Sequence, residues 1–310
     1  MISNNSARTR FRRRIEFGLF CLAAVVSWFP LSRAAAESGS PTAVSGLAHV
    51  ALRTTDTEKA LAFYRDFLGL PERFRTNKVP DQPNVYYKKD GSPADLEKQK
   101  QGTLMLVDLR VGTDQSLELF AGRSEGQPVL YHPAVTTPDL ATTRDQLAAH
   151  GAAVPPSAAN DSGPLKSFFT RDPGGTEIEI TAPREAPSAK PSAAGELDAR
   201  LKSVVYPCAA EPALVSHFFS AGLGMAVTTT SGGTTATATN GDRLELKADR
   251  NTPPTLVFEV TDLEAARHFL ESRPNRVSYE GAVEIRETGG HAFIELLAAD
   301  DVRILIAQKP

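Results

Sequence analysis

The sequence predicts an α+β fold, and three observations carry that expectation. Residues 46–70 read as a strand, a capped turn and an amphipathic helix. The same plan returns three more times along the chain, each time followed by short strands. Between the second and third copies, residues 183–195 are dominated by Ala, Pro and Ser, the composition of a semi-rigid linker.

The first unit is the clearest. Side chains alternate along a strand, so in residues 47–53 Ala48, Val50 and Leu52 share one face while Leu47, His49, Ala51 and Arg53 share the other. Thr55 with Glu58 spells a capping box, or Asp56 caps instead, and Ala60, Leu61, Phe63, Tyr64, Phe67 and Leu68 form the apolar stripe before Gly69 stops the helix. The strand face under that helix lies in the core, so His49 looks the other way.

Residues 72–76 read as a strand. Residues 77–101 form a polar stretch around Tyr86, Tyr87, Lys88 and Lys89, read as a lid or as a solvated insertion. As a lid it would hold Tyr86 and Tyr87 near the mouth of any cavity. Strands follow at 103–110 and 116–120, where Leu117 and Leu119 take one face and Glu118 the other.

The second unit opens at Tyr131, with Thr137 and Pro138 as the start of its helix, Leu140 and Leu147 on one side and Gly151 at the end. His132 holds the place His49 has in the first unit. Pro133 has no amide hydrogen, so this strand is expected at an edge or paired only further on. The string DPGGTEIEI, residues 172–180, reads as a hairpin with Ile178 and Ile180 on one face and Glu177 and Glu179 on the other.

In the C-terminal half, sliding Gly69-Leu70 onto Gly224-Met225 sets Phe63 on Phe218, Tyr64 on Phe219 and His49 on Val204. His132 falls on Thr255, Glu118 on Glu245 and Glu179 on Leu305. The apolar pattern persists while most of the polar positions do not.

HVALRTTDTEKALAFYRDFLGL, residues 49–70, resembles the opening module of the vicinal oxygen chelate (VOC) superfamily, which includes glyoxalase I, extradiol dioxygenases and the fosfomycin- and bleomycin-resistance proteins. The resemblance runs in pieces to the C-terminus. It implies four βαβββ modules paired into two VOC domains at residues 44–184 and 199–310, joined by a linker at 185–198, with only the first domain keeping its metal ligands. It also implies that Glu179, the second acid of the closing hairpin, is a metal ligand.

Each module hides one sheet face under its helix, so two modules close their other faces into a cup. His49, Glu118, His132 and Glu179, one from each of four strands, then face into that cup. Two imidazoles and two carboxylates suit a divalent ion such as Fe, Mn, Ni, Co or Zn. Bound there, the ion would act as a Lewis acid, with Glu179 or Glu118 as the general base. By resemblance, bacterial glyoxalase I uses a His/Glu/His/Glu set and extradiol dioxygenases two His and one Glu.

Residues 1–36 read as a signal peptide. Arg8 to Arg14 form the basic region, residues 17–29 the apolar one, and Ala34-Ala35-Ala36 the cleavage site. An uncleaved anchor is the competing reading, although the apolar run is shorter than the ~20 residues a span needs. The expected location is periplasmic or secreted, with no membrane attachment after cleavage. Removing Cys21 with the signal leaves Cys208 alone, so no internal disulfide can form. His150, His217, His268 and His291 are read as structural or exposed. A formal net charge of -3 gives no reason to expect nucleic acid as a partner.

The expected function is an exported metal-dependent enzyme acting on a small substrate with vicinal oxygens, possible as a homodimer. The alternative is a metal-free binding protein of the bleomycin-resistance type. Export argues against glyoxalase I in the strict sense, whose thiol-adduct substrate depends on the cytosolic glutathione pool. Extradiol dioxygenases, by resemblance, carry their metal in the C-terminal half rather than the N-terminal one.

Overall fold

The computed structural model describes residues 42–78, 85–88, 102–156, 166–183, 195–249, 252–273 and 281–310. Two eight-stranded sheets build it. The first contains β1 (Gly46–Thr54), β2 (Glu72–Lys78), β3 (Val85–Lys88), β4 (Thr103–Val111), β5 (Gln115–Ala121), β6 (Leu130–Thr136), β7 (Ser167–Arg171) and β8 (Glu177–Thr181), in the order β3-β2-β4-β5-β1-β6-β8-β7. The second contains β9 (Ala199–Pro207), β10 (Ala226–Thr230), β11 (Gly233–Thr237), β12 (Arg243–Lys247), β13 (Thr255–Val260), β14 (Ile285–Thr288), β15 (His291–Leu297) and β16 (Arg303–Gln308), in the order β10-β11-β12-β9-β13-β16-β15-β14. This is the α+β architecture that the resemblance implies, two sheets each built from paired modules.

In each sheet the first strands of two modules meet at the centre. β1 runs parallel to β5 on one side and antiparallel to β6 on the other, and β9 does the same between β12 and β13. Val50 and Leu52 of β1 join Leu61, Tyr64 and Phe67 in the core, which places the helix on the predicted face.

Asp56 caps the first helix by accepting from the Lys59 amide at 3.0 Å, while the Thr55 hydroxyl turns to Asp300 instead. The helix is α over Thr57–Leu61 and widens to π over Ala62–Phe67. The third helix repeats this, α over Pro212–His217 and π over Phe218–Gly222. The second helix, Leu140–Ala149, starts later than expected. Asp139 is its cap, accepting from the Thr142 amide, and Thr137 is hydrogen-bonded to the Thr143 hydroxyl at 2.6 Å.

Two expectations change, and a third, the alternative left open for β6, is resolved in favour of later pairing. The polar stretch after β2 contains a strand, β3, paired with β2 through Tyr86↔Thr76 and Tyr87↔Arg75. The side chains of Tyr86 and Tyr87, and so their relation to the mouth, lie outside the described part. β6 is no edge strand, since it pairs with both β1 and β8, and its partnership with β8 starts at Ala134, one residue past the proline. Finally, Ala51 pairs with Glu118 as Val205 pairs with Glu245, so Ser203 and not Val204 occupies the place of His49. One extra residue between strand and helix in the C-terminal half caused the slip.

The two sheets meet at a buried polar seam. Gln115 and Asp242 are both buried, and Asp242 accepts from the Leu47 amide and from Arg200. The Gln115 amide donates to the carbonyls of Leu47 and Leu201 and accepts from the Leu201 amide at 2.8 Å. Residues 1–41 and the linker expected at 185–198, up to residue 194, fall outside the described residues.

Candidate metal centre

His49 lies on β1, Glu118 on β5, His132 on β6 and Glu179 on β8, and all four are buried. They converge. The Nε2 atoms of His49 and His132 stand 3.3 Å apart. Glu179 Oε2 lies 3.0 Å from Nε2 of His49 and 3.3 Å from Nε2 of His132, and Glu118 Oε2 lies 3.7 Å from Nε2 of His49. His49, Glu118 and His132 offer ligand atoms that all lie within 4.8 Å of one another.

Sheet register explains the convergence. Ala51 pairs with both Glu118 and His132, while His49 pairs with Ala134, which pairs with Glu179. Each ligand therefore lies one step across or along from the next on the same face. The obstacle expected at Pro133 dissolves here: it pairs with Val50 and points to the opposite face from His132, and a bulge follows opposite Ala51–Leu52.

That bulge has a second effect. Ala51 pairs with His132 and Leu52 with Leu130, so Tyr131 is the extra residue and shares the face of His132. Its ring meets those of His132 at 4.7 Å and Phe120 at 4.9 Å, and Phe169 meets His132 from another side at 5.3 Å. The Arg53 guanidinium lies over Tyr131, 3.7 Å from the ring centre, a cation–π contact. None of these four was singled out from the sequence. The alternation of β1 marks Arg53 as inward-facing, but nothing in the sequence marks the bulge that brings Tyr131 beside it.

Electrostatics separates the two acids. Burial and the neighbouring Asp108 and Glu179 carboxylates raise Glu118, against the pull of His49 and His132. Burial also acts to raise Glu179, but the charge and hydrogen bonds of the two imidazoles outweigh it and hold the acid below the ordinary carboxylate range. Asp108, opposite Glu118 on β4, is fully buried and held by Arg73 through two bonds of 2.6 Å.

The donor set fits a divalent cation. Two acids and two imidazoles are gathered in a buried spot, and Nδ1 of His132 has no hydrogen-bond partner among the described residues, its ring being held by aromatic contacts instead. The second sheet offers no counterpart: Ser203, Glu245, Thr255 and Leu305 stand in the four places, with the Ser203 hydroxyl donating to Glu245 at 2.8 Å.

The remaining histidines lie elsewhere. His150 and His217 pack ring to ring at 5.0 Å between the second and third helices, and His268 sits 3.6 Å from Glu271 on the fourth helix, Leu263–Glu271. Cys208 is buried, and burial together with Asp172 pushes its thiol up.

A cleft of about 450 Å³ opens beside the cluster. It does not include the four ligand side chains. Its walls are Arg53, Tyr131, Arg171 and Glu177 from the first half and Tyr206, Pro207, Thr252 and Pro254 from the second.

Comparison with known proteins bears on the fold that carries these residues. The 2,3-dioxygenase LapB from Pseudomonas sp. KL28 matches with a TM-score of 0.63 at 14% identity, over 87% of this chain and 94% of that one. The Mn(II)-bound glyoxalase from Novosphingobium aromaticivorans matches with a TM-score of 0.61 at 15% identity, over 86% and 82%. An extradiol ring-cleaving dioxygenase from B. fuscum matches with a TM-score of 0.59 at 16% identity, over 87% and 73%. At such identities the likeness is one of fold. No curated protein matches the sequence. The family model of the Glyoxalase/Bleomycin resistance protein/Dioxygenase superfamily matches residues 46–180, the stretch that carries all four candidate ligands. Over residues 46–180 the chain therefore carries a domain of the glyoxalase, bleomycin resistance protein and dioxygenase superfamily, the vicinal oxygen chelate group.

Proposed function

We propose that the protein is an exported, metal-dependent enzyme that acts on a small substrate with two neighbouring oxygens, with His49, Glu118, His132 and Glu179 holding the ion. The convergence of two imidazoles and Glu179 within 3.3 Å carries this reading. A bound divalent ion would supply Lewis acidity toward those substrate oxygens.

The side chains divide the remaining work. Glu179, within reach of both imidazoles, fixes the ligand set. Glu118, 3.7 Å from the nearer imidazole, is the less tethered acid and carries the proton. The Tyr131, Phe120 and Phe169 rings fix the plane of His132 and exclude water from that flank. Arg53, stacked on Tyr131, offers positive charge to an acidic substituent of the substrate.

Export rests on the basic, apolar and small-residue order of residues 1–36, and it sets the enzyme in the periplasm or outside the cell. N-terminal sequencing of the protein from its native host tests this. A mature start near Glu37 is expected, and an intact Met1 defeats the export reading.

Metal analysis of protein purified without chelator or metal-binding tag tests the rest. One ion per chain is expected, falling to trace levels in His49→Ala and Glu179→Ala. A wild-type protein that stays metal-free under metal-replete conditions would favour the rival reading, a metal-free binding protein. With metal present, oxygen uptake on catechols against turnover of 2-oxoaldehyde thiol adducts separates oxygenation from isomerisation.

A further inference from the structure

The C-terminal half has lost three of the four ligand residue types, and the cleft beside the metal centre shows what it does instead. Along β1, β6 and β8 the cleft residues Arg53, Tyr131 and Glu177 follow His49, His132 and Glu179 toward one end of the sheet. β1 and β6 are antiparallel and β6 and β8 parallel, so increasing numbers on β1 and decreasing numbers on β6 and β8 lead the same way. The cleft therefore lies beyond that end of the ligand cluster, and Tyr131, one of its lining residues, packs against His132.

Tyr206 and Pro207, at the end of β9, and Thr252 and Pro254, just before β13, close that end from the other half. The placement of Tyr206 is fixed by a bolt. The Tyr206 hydroxyl donates to Asp172 at 3.1 Å, and the other Asp172 oxygen accepts from the Thr176 amide at 2.8 Å, tying Tyr206 to the turn between β7 and β8. Gly174 in that turn packs so tightly that a Cβ there would sit 2.6 Å from the Cys208 sulfur.

We propose that the C-terminal half is the outer wall of the substrate cleft, and that Thr252, Pro254 and Pro207 set the size of molecule that reaches the metal centre. This inference rests on the metal-enzyme reading above and names a specificity determinant within it. About 450 Å³ lies in the lower half of the range of small-molecule sites, room for a small ligand of one or two rings. Thr252 is half-buried in the cleft wall and stands outside the ligand cluster, so its effect is one of shape and not of coordination.

The test uses the full chain loaded with Mn(II) and two catechols as probes, 4-nitrocatechol and the bulkier 4-tert-butylcatechol, whose binding is followed by absorbance and by competition. Thr252→Trp narrows the cleft. It is expected to keep one metal per chain and to bind 4-tert-butylcatechol at least tenfold more weakly, with a smaller loss for 4-nitrocatechol. Thr252→Ala, a change that threatens folding little, is expected to shift preference at least threefold toward the bulkier probe. Unchanged affinities in both variants at full metal loading overturn the inference alone, as does a metal-loaded wild type that binds neither probe. Wild type without metal overturns the metal reading, and the inference with it.

Discussion

Glu118 shows at the residue scale how a binding site trades against stability. Two carboxylates share a buried spot, and burial raises the acid, so keeping it ionised costs the apo protein stability. A folded-state value above the ordinary one means that this cost appears as pH rises through it and vanishes in acid. Glu118→Gln is therefore expected to raise the melting temperature of the chelator-treated protein by a few degrees and to weaken metal binding at least tenfold. Calorimetry with and without metal checks both. Glu179 has the opposite sign. Its folded-state value is depressed, so its contribution is present above the ordinary carboxylate value of about 4.5 and is lost as pH falls below that. Glu179→Gln should flatten the acid limb of the stability profile, measured by denaturant titration between about pH 6 and 3.

At the scale of the element, the hairpin that carries Glu179 depends on its two turn glycines for different reasons. Gly175 has φ +88 with nothing within 4 Å of the place a Cβ would take, so Gly175→Ala meets only the backbone cost, roughly 1 kcal/mol. Gly174→Ala instead drives a methyl onto the Cys208 sulfur. Its larger loss should be relieved by adding Cys208→Ala, while the same second change should not rescue Gly175→Ala. Thermal melts of the four variants decide it. The bulge in β6 makes the complementary point. A strand that contains Pro133 still pairs with both β1 and β8, and the residue its bulge adds, Tyr131, lines the cleft.

Across the whole molecule, the Gln115–Asp242 seam binds the two sheets. Gln115→Leu would leave the Leu47 and Leu201 carbonyls and the Leu201 amide without that partner inside a buried interface, a cost of about 2–4 kcal/mol. Loss of the single unfolding transition, with two separated transitions in urea, is the expected sign that this seam couples the halves.

Period and punctuation made the repeated strand-helix unit legible, because a helix must bury a stripe and a strand a face wherever they pack. The alternation of β1, β5 and β8 alone turned His49, Glu118 and Glu179 inward. Residue type then pointed to the chemistry proposed above, since two imidazoles and two acids on inward faces have few uses but a cation. Register was not legible. A one-residue slip inverts a strand's faces, so the place of Ser203 and the exposure of Tyr131 to the cup depended on an inserted residue and a bulge that only strand pairing fixes. The partnership of the halves was hidden too. Gln115, Asp242, Asp172 and Tyr206 are far apart in the chain, and their hydrogen bonds exist only once both sheets have closed on one another, which a local pattern of side chains cannot encode.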